Sequence, residues 1–160
     1  MTTKLALPAL DPMTVSPRTT SGYPTDEMRK VTSGRAKRML GDALGLTTFG
    51  VNLTTLAPGG ASALRHWHLR QDEFVFVLEG ELTLVTNAGE QVLGPGTCAG
   101  FAGGVADGHQ LVNRTSKPAT YLEVGDRLPG DGAEYPDHDL RVRSTGSGWK
   151  YTHKDGSAYT

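Results

Sequence analysis

The sequence predicts an all-β protein that folds as a single antiparallel sandwich or small barrel. Short runs of alternating apolar and polar residues recur at a spacing of roughly 8–12 residues, with turn residues between them. The chain has 21 glycines and 9 prolines among 160 residues, which is typical of many short strands joined by turns. This length predicts one domain with a substantial core. No internal repeat is visible.

Proline dominates the beginning of the chain. Residues 1–24 contain four prolines and little hydrophobic periodicity, so we expect an extended arm rather than a helix. Residues 25–31 predict one short helical turn with Thr25 as its N-cap. We assign residues 1–45 to an N-terminal arm that packs on the barrel.

The predicted barrel occupies residues 46–127. Phe49, Val51 and Leu53 alternate with small or polar residues, as expected for a strand with one buried face. Further short strands are predicted at 66–69, 73–78, 82–86, 91–93, 109–113 and 121–124, with a hairpin turn at 87–90. Beyond Asp126 the chain becomes polar, and residues 128–160 are predicted to form a loop-like tail.

Two histidines and a glutamate lie close together in the sequence. His66 and His68 are two residues apart, so on a strand both side chains point to the same face. Glu73 follows after one tight connection, at the start of the next predicted strand. Imidazole and carboxylate groups are the ligands of a mononuclear divalent transition metal, so the pattern predicts one such metal per chain.

The third imidazole of such a site comes from elsewhere in the chain. His109 lies in a later predicted strand and can close the site from there. His138 and His153 lie in the polar tail, where a solvated surface histidine is the ordinary interpretation.

The segment from Gly60 to Gly80 resembles the first conserved motif of the cupin superfamily. That motif is glycine, five residues, His-x-His, four residues, glutamate, six residues and glycine, and every fixed position is present here. The second cupin motif is matched less closely, by Gly96, Gly104, His109 and Asn113. Ala102 stands where proline is usual, and four residues rather than two separate Gly104 from His109. The longer turn leaves Asp107 as an alternative ligand.

The resemblance covers roughly residues 47–126 and implies an antiparallel jelly-roll barrel of about six to eight strands, often dimeric. It also implies that the metal is held by the residues matching His66, His68, Glu73 and His109. The segments 106–109 and 152–156 are similar to those of small bacterial single-domain cupins. Some members of that group are provisionally called sugar-phosphate isomerases.

Three functions fit a site of this kind. The first is a metal-dependent isomerase of a sugar phosphate or related hydroxy-carbonyl compound, with Glu73 or Glu123 as the base. The second is an iron-dependent dioxygenase, and the third is a non-enzymatic module that binds or senses a small molecule. Mn, Fe, Ni, Co and Zn all accept these ligands, so the sequence does not select the metal.

Charge and composition limit the partners. The formal net charge of −1 gives no electrostatic footprint for nucleic acid or an anionic membrane. The basic cluster at 35–38 is interpreted as a solvated face. No apolar run approaches the ~20 residues that span a bilayer, and the single Cys98 cannot form a disulfide within the chain. We therefore expect a cytoplasmic protein that binds a small-molecule substrate. The long arm and tail predict a homodimer.

Overall fold

The computed structural model describes residues 5–146 and 148–159, which contain two short α-helices and twelve strands. The helices are α1 (Asp26–Lys30) and α2 (Leu40–Ala43). The strands are β1 (Arg35–Met39), β2 (Phe49–Leu56), β3 (Trp67–His68), β4 (Glu73–Glu79), β5 (Leu82–Thr86), β6 (Gly89–Leu93), β7 (Cys98–Phe101), β8 (Gln110–Val112), β9 (Ala119–Asp126), β10 (Gly132–Tyr135), β11 (Leu140–Thr145) and β12 (Gly148–Thr152).

The strands form an antiparallel jelly roll, which confirms the predicted fold class. One layer is a five-stranded sheet in the order β1-β2-β9-β4-β7. The other layer contains a four-stranded sheet, β12-β11-β10-β3, and a three-stranded sheet, β6-β5-β8. A bridge between His66 and His109 joins these two sheets, since each residue donates its backbone N–H to the carbonyl of the other, at 3.1 and 2.8 Å.

The apolar core lies between the five-stranded and three-stranded sheets. Leu56, Val75 and Val77 contribute from one layer, and Leu82 and Leu111 contribute from the other. Alternate residues of each strand point inward, so a patterned strand buries one face here. The apolar residues occupy only part of the interior, and polar side chains line the rest.

The prediction of a loop-like tail beyond Asp126 is wrong. Residues of this segment form β10, β11 and β12, and β10 pairs with β3 in the register Ala133↔His68. Leu140 and Val142 are buried in a second apolar cluster. These apolar residues alternate with arginines, which is the pattern of a strand with one solvated face. The segment therefore pairs with β3, the strand that carries His68.

The N-terminal arm lies along β1. Arg18 donates its backbone N–H to the Lys37 carbonyl at 2.8 Å and accepts the Lys37 N–H at 3.0 Å. The Thr25 side chain accepts the Met28 N–H at 3.3 Å, which confirms the predicted cap of α1. The chosen boundaries at residues 45 and 127 remain a prediction. Among the described residues, no helix has the length and apolar character that a membrane crossing requires.

The interpretation of residues 35–38 as a solvated face is wrong for Arg35 and Lys37. These residues belong to β1, where they pair with Leu56 and Thr54 of β2. Leu56 and Thr54 are fully buried, and directly paired residues present their side chains on the same face. Arg35 is accordingly only 7% exposed. The two cations therefore point into the molecule.

Candidate metal centre

The structure brings the four predicted ligand residues together between the two layers. His66 and His68 share a face, with ring centroids 5.1 Å apart. The His66–His109 bridge holds those two rings at 5.0 Å. Glu73 enters from the start of β4 in the opposite layer. We call this group of His66, His68, Glu73 and His109 the histidine end.

Three of these residues have the spacing of a metal site. Single ligand atoms of His66, His68 and Glu73 all lie within 4.8 Å of one another. The His68 Nε2 and Glu73 Oε2 atoms are 4.0 Å apart. The His109 Nε2 atom donates to Glu73 Oε2 at 2.8 Å, so His109 contacts the group through the glutamate. Ligation by His109 thus remains a prediction.

The surroundings of the first two histidines fix their tautomers. His66 Nδ1 lies 2.8 Å from the Leu64 carbonyl oxygen, and His68 Nδ1 lies 2.9 Å from Asp131 Oδ2. Because both partners accept hydrogen bonds, each Nδ1 carries the proton and the Nε2 of each neutral ring keeps its lone pair. This arrangement is typical of metal-binding histidines. The donor set therefore fits a divalent transition metal.

Asp131 is a positioning residue that the sequence did not indicate. It is 3% exposed and also accepts the backbone N–H groups of Arg70 and Gln71, at 2.9 and 3.2 Å. Burial raises the pKa of Asp131, but the hydrogen bonds from His68 and from backbone N–H groups outweigh burial and lower it. The carboxylate is therefore ionised at neutral pH. No local motif could have found it, because it lies 63 residues from His68 in sequence.

Burial and the neighbouring charges set the ionisation of the cluster. Burial lowers the pKa of His66 to about 4, so its ring is neutral at neutral pH. Burial raises the pKa of Glu73, but the hydrogen bond from His109 and the electrostatic interactions with His109, His66 and His68 outweigh it. The pKa of Glu73 consequently lies below its ordinary value. His66 and Glu73 are therefore in the forms that bind a metal, a neutral imidazole and an ionised carboxylate.

The His109 ring, which follows the long turn, contacts Glu73 through Nε2. Phe101 stacks on the His109 ring, with ring centroids 3.6 Å apart and planes at 7°. The Nδ1 atom of His109 is buried and has no hydrogen-bond partner among residues 5–146 and 148–159. Asp107, the alternative ligand, instead accepts the backbone N–H of Asn87 at 2.8 Å. Asp107 therefore supports a neighbouring turn and is not part of the cluster.

The other histidines considered as ligands lie elsewhere. His153 Nδ1 is 2.8 Å from Asp139 Oδ2, and its ring stacks on Tyr159 at a centroid distance of 3.9 Å. Neither His138 nor His153 lines the cavity beside the cluster. Both are thus separate from the site, as the sequence indicated.

The histidine end opens into a cavity of about 580 Å³ that is partly open to solvent. Glu123 lines it from the neighbouring strand and is 7% exposed. Its carboxylate accepts hydrogen bonds from Asn52 Nδ2 at 2.9 Å and from the Tyr121 hydroxyl at 3.2 Å, and it forms an ion pair with Lys37. A longer contact joins it to the Thr54 hydroxyl at 3.4 Å. Inward-facing residues of β1, β2 and β9 thus surround one carboxylate.

Tyr121 remains a hydrogen-bond donor in this group. Burial is the largest cause that raises the pKa of its hydroxyl well above the ordinary value, and the adjacent carboxylates Glu123 and Glu73 raise it further. The phenol is therefore protonated at neutral pH. Tyr121 and Glu123 are two residues apart on β9 and share a strand face, and both line the cavity.

Fold and site together define a cupin, and the chain belongs to the cupin superfamily. The cupin domain family matches residues 52–125. A crystal structure of a cupin-superfamily sugar phosphate isomerase from Silicibacter pomeroyi is 48% identical, with a TM-score of 0.91, and the match covers 96% of this chain and 97% of that one.

More distant structures share the fold. A protein of Acidithiobacillus ferrooxidans, provisionally named a sugar phosphate isomerase, is 30% identical, with a TM-score of 0.71 and coverage of 77% of this chain and 80% of that one. The polyketide cyclase RemF of Streptomyces resistomycificus is 18% identical, with a TM-score of 0.60 and coverage of 74% and 78%, and it supports the fold alone. No curated protein matches this chain significantly.

Proposed function

We propose that this protein is a metal-dependent isomerase of a sugar phosphate or a related hydroxy-carbonyl compound. One divalent metal would be held by His66, His68, Glu73 and His109. The observation that carries the proposal is the placement of a second carboxylate, Glu123, on the same cavity as the ligand cluster. An isomerase needs an electrophile at the substrate oxygens and a base beside the substrate carbons.

The relatives favour the same reaction class. The Silicibacter pomeroyi protein is named a sugar phosphate isomerase, and the match covers nearly the whole of both chains. The Acidithiobacillus ferrooxidans protein has the same designation on a provisional basis. Both names apply to those proteins, and they support the transfer of the reaction class to this chain as a hypothesis.

The side chains suggest how the work is divided. A bound divalent metal would supply Lewis-acid polarisation of the substrate oxygens. Glu123 would take a proton from the carbon beside the carbonyl and return it to the former carbonyl carbon, while the proton of the neighbouring hydroxyl passes to the former carbonyl oxygen, so that no proton is gained or lost overall. Lys37 and Asn52 hold that carboxylate in place. The protonated Tyr121 hydroxyl donates to it throughout.

Glu73 is the alternative base. Its carboxylate already accepts a hydrogen bond from His109 and lies within the ligand cluster, so we assign it to metal binding and assign the proton transfer to Glu123. The two assignments differ in what a glutamine substitution removes. Glu73→Gln should remove the metal, whereas Glu123→Gln should leave the metal in place and remove the reaction.

Exchange of substrate protons with solvent tests the proposal. The full-length protein, loaded in turn with Mn²⁺, Fe²⁺, Co²⁺, Ni²⁺ or Zn²⁺, is incubated in D₂O with a panel of aldose and ketose phosphates and followed by NMR. We expect deuterium at the carbon beside the carbonyl of at least one sugar. Glu123→Gln should slow the exchange at least 100-fold, in line with the ~10²–10⁴-fold range for general acid–base catalysis.

Glu90→Gln is the matched control, because Glu90 lies on β6 and pairs with Arg114 at the surface. It should exchange protons at the wild-type rate with the same metal content. No exchange with any metal and any sugar of the panel would overturn the proposal. Consumption of O₂ by the Fe²⁺-loaded protein would favour the dioxygenase alternative instead.

A further inference from the structure

A buried arginine faces the cavity without an acidic partner. Arg35 donates through Nη1 to the Ser62 carbonyl at 2.6 Å and through Nη2 to the Thr20 carbonyl at 3.3 Å. Its Nε atom is buried with no hydrogen-bond partner among the described residues. None of the ion pairs found within residues 5–146 and 148–159 includes Arg35. A buried guanidinium without a counter-charge is costly unless an anion accompanies it.

Two more cations lie beside Arg35 at the cavity wall. The backbone bridge between Arg18 and Lys37 places these residues side by side. The exposed Arg18 donates through Nε to the Thr20 carbonyl at 3.2 Å, and Lys37 is paired with Glu123. We call Arg18, Arg35 and Lys37 the arm end of the cavity. Lys37 has an acidic partner, whereas Arg18 and Arg35 have none among the described residues.

Two guanidinium groups without acidic partners favour a doubly charged anion over a singly charged one. A phosphate monoester carries about two negative charges at neutral pH and presents three acceptor oxygens, whereas a simple carboxylate carries one charge. Guanidinium groups bind phosphate with geometric specificity because their N–H groups are fixed in a planar fork. The arm end therefore matches a phosphate dianion in both charge and donor type.

The position of the arm end fits one end of an extended ligand. β1 is separated from β4 by β2 and β9, which corresponds to three strand spacings, or roughly 14 Å. The Arg35 side chain shortens that span, since it crosses to the Ser62 carbonyl of the segment that leads to His66. A molecule with a phosphate at Arg35 and oxygens at the histidines would extend along the cavity past Glu123.

We infer that the arm end is a phosphate-binding subsite, in which Arg35 and Arg18 bind the phosphate group of the substrate. The inference rests on the proposed function, in which the other end of the substrate binds at the histidine end. It also gives the N-terminal arm a role: the arm supplies Arg18 and the Thr20 carbonyl that positions Arg35.

Titration calorimetry with inorganic phosphate tests the subsite on the full-length protein. We expect saturable binding that weakens at least tenfold in Arg35→Met and several-fold in Arg18→Met, because each variant loses a guanidinium but keeps an apolar stem. Acetate should bind at least tenfold more weakly than phosphate. Arg18 is exposed, so its variant keeps the test decisive if Arg35→Met fails to fold.

Arg38→Met is the matched control. Arg38 lies on the same strand and also donates to an arm carbonyl, that of Val15, but it does not line the cavity. It should bind phosphate within twofold of the wild type. An equal loss in Arg38→Met would attribute the effect to docking of the arm and overturn the inference. Unchanged phosphate binding in both Arg35→Met and Arg18→Met would overturn it as well. Phosphate binding that is lost only when a chelator removes the metal would also overturn it, because the phosphate would then bind at the metal.

The subsite and the reaction can fail separately. Phosphate binding that depends on Arg35, without any proton exchange, would refute the proposed isomerase and leave the subsite in place. Proton exchange with unphosphorylated sugars, without any phosphate binding, would refute the subsite and leave the reaction class.

Discussion

The histidine end and the arm end of the cavity are assembled in different ways. At the histidine end, most of the ligand atoms come from one segment, residues 66–73, and fixed acceptors set the imidazole tautomers. At the arm end, the cations come from the arm and β1. Arg18 and Arg35 donate to backbone carbonyls, and Lys37 pairs with Glu123. A metal requires lone pairs in fixed directions, whereas an anion requires positive charge that long side chains can deliver from several elements.

The largest expected effect is the loss of metal from the histidine end. His66→Ala removes an Nε2 lone pair that nothing nearby can replace. We expect metal affinity to fall by more than about a hundredfold, beyond the roughly 10–100-fold cost of losing an outer hydrogen-bond partner. Elemental analysis of the purified protein measures metal per chain. His138→Ala should keep its metal, and a His66→Ala protein with unchanged metal content would remove the basis for the site.

A smaller loss is expected from Asp131→Asn. The amide oxygen can still accept the backbone N–H groups of Arg70 and Gln71, which turns the NH₂ group toward His68 Nδ1. His68 would then accept at Nδ1 and carry its proton on Nε2, where the metal must bind. We expect metal affinity to fall roughly 10–100-fold.

Competition with a chelator of known affinity measures this change. Asp107→Asn is the comparison, since Asp107 contacts the Asn87 turn and should leave the affinity unaltered. A larger effect from Asp107 than from Asp131 would reverse the assignment of the two carboxylates.

Salt concentration should have a smaller effect, and it should change phosphate affinity at the arm end but not metal content at the histidine end. Arg18 is exposed at the arm end, so mobile ions screen its attraction for phosphate. Raising the salt concentration from 0.05 to 0.5 M should weaken phosphate binding about threefold, while the metal content stays constant. Calorimetry and elemental analysis on the same samples report the two quantities. If both fell together, the two ends would not be independent.

The smallest expected difference concerns assembly. We predict a homodimer, because the cupins that this chain resembles are often dimeric. Light scattering at micromolar concentration should give about twice the chain mass, for the wild type and for Arg18→Met alike. A monomeric mass would contradict the prediction without affecting either end of the cavity.

The sequence predicted the parts of the site that depend on local spacing. His66 and His68 must share a face of a strand, and Glu73 follows within one connection, so short-range geometry was sufficient. Asp131 and Arg35 depend on which distant strands become neighbours, through the pairings of β10 with β3 and of β1 with β2. One sequence does not reveal those pairings.

The arm end was also missed for a physical reason. Interpreting an alternating pattern assumes that the apolar face turns inward. In β1 the inward positions are charged, because they line a polar cavity rather than the apolar core. In β11, arginines on the solvated face made a true strand resemble a loop.

The pairing of β10 with β3 has a consequence for protein engineering. A fragment trimmed to residues 52–125, the region that matches the cupin domain family, would contain all four predicted ligand residues. It would nevertheless leave β3 as an open sheet edge, a known cause of aggregation, and it would lack both Asp131 and the arginines of β1. A fragment that keeps the whole site must therefore be longer than the segment that matches the cupin domain family.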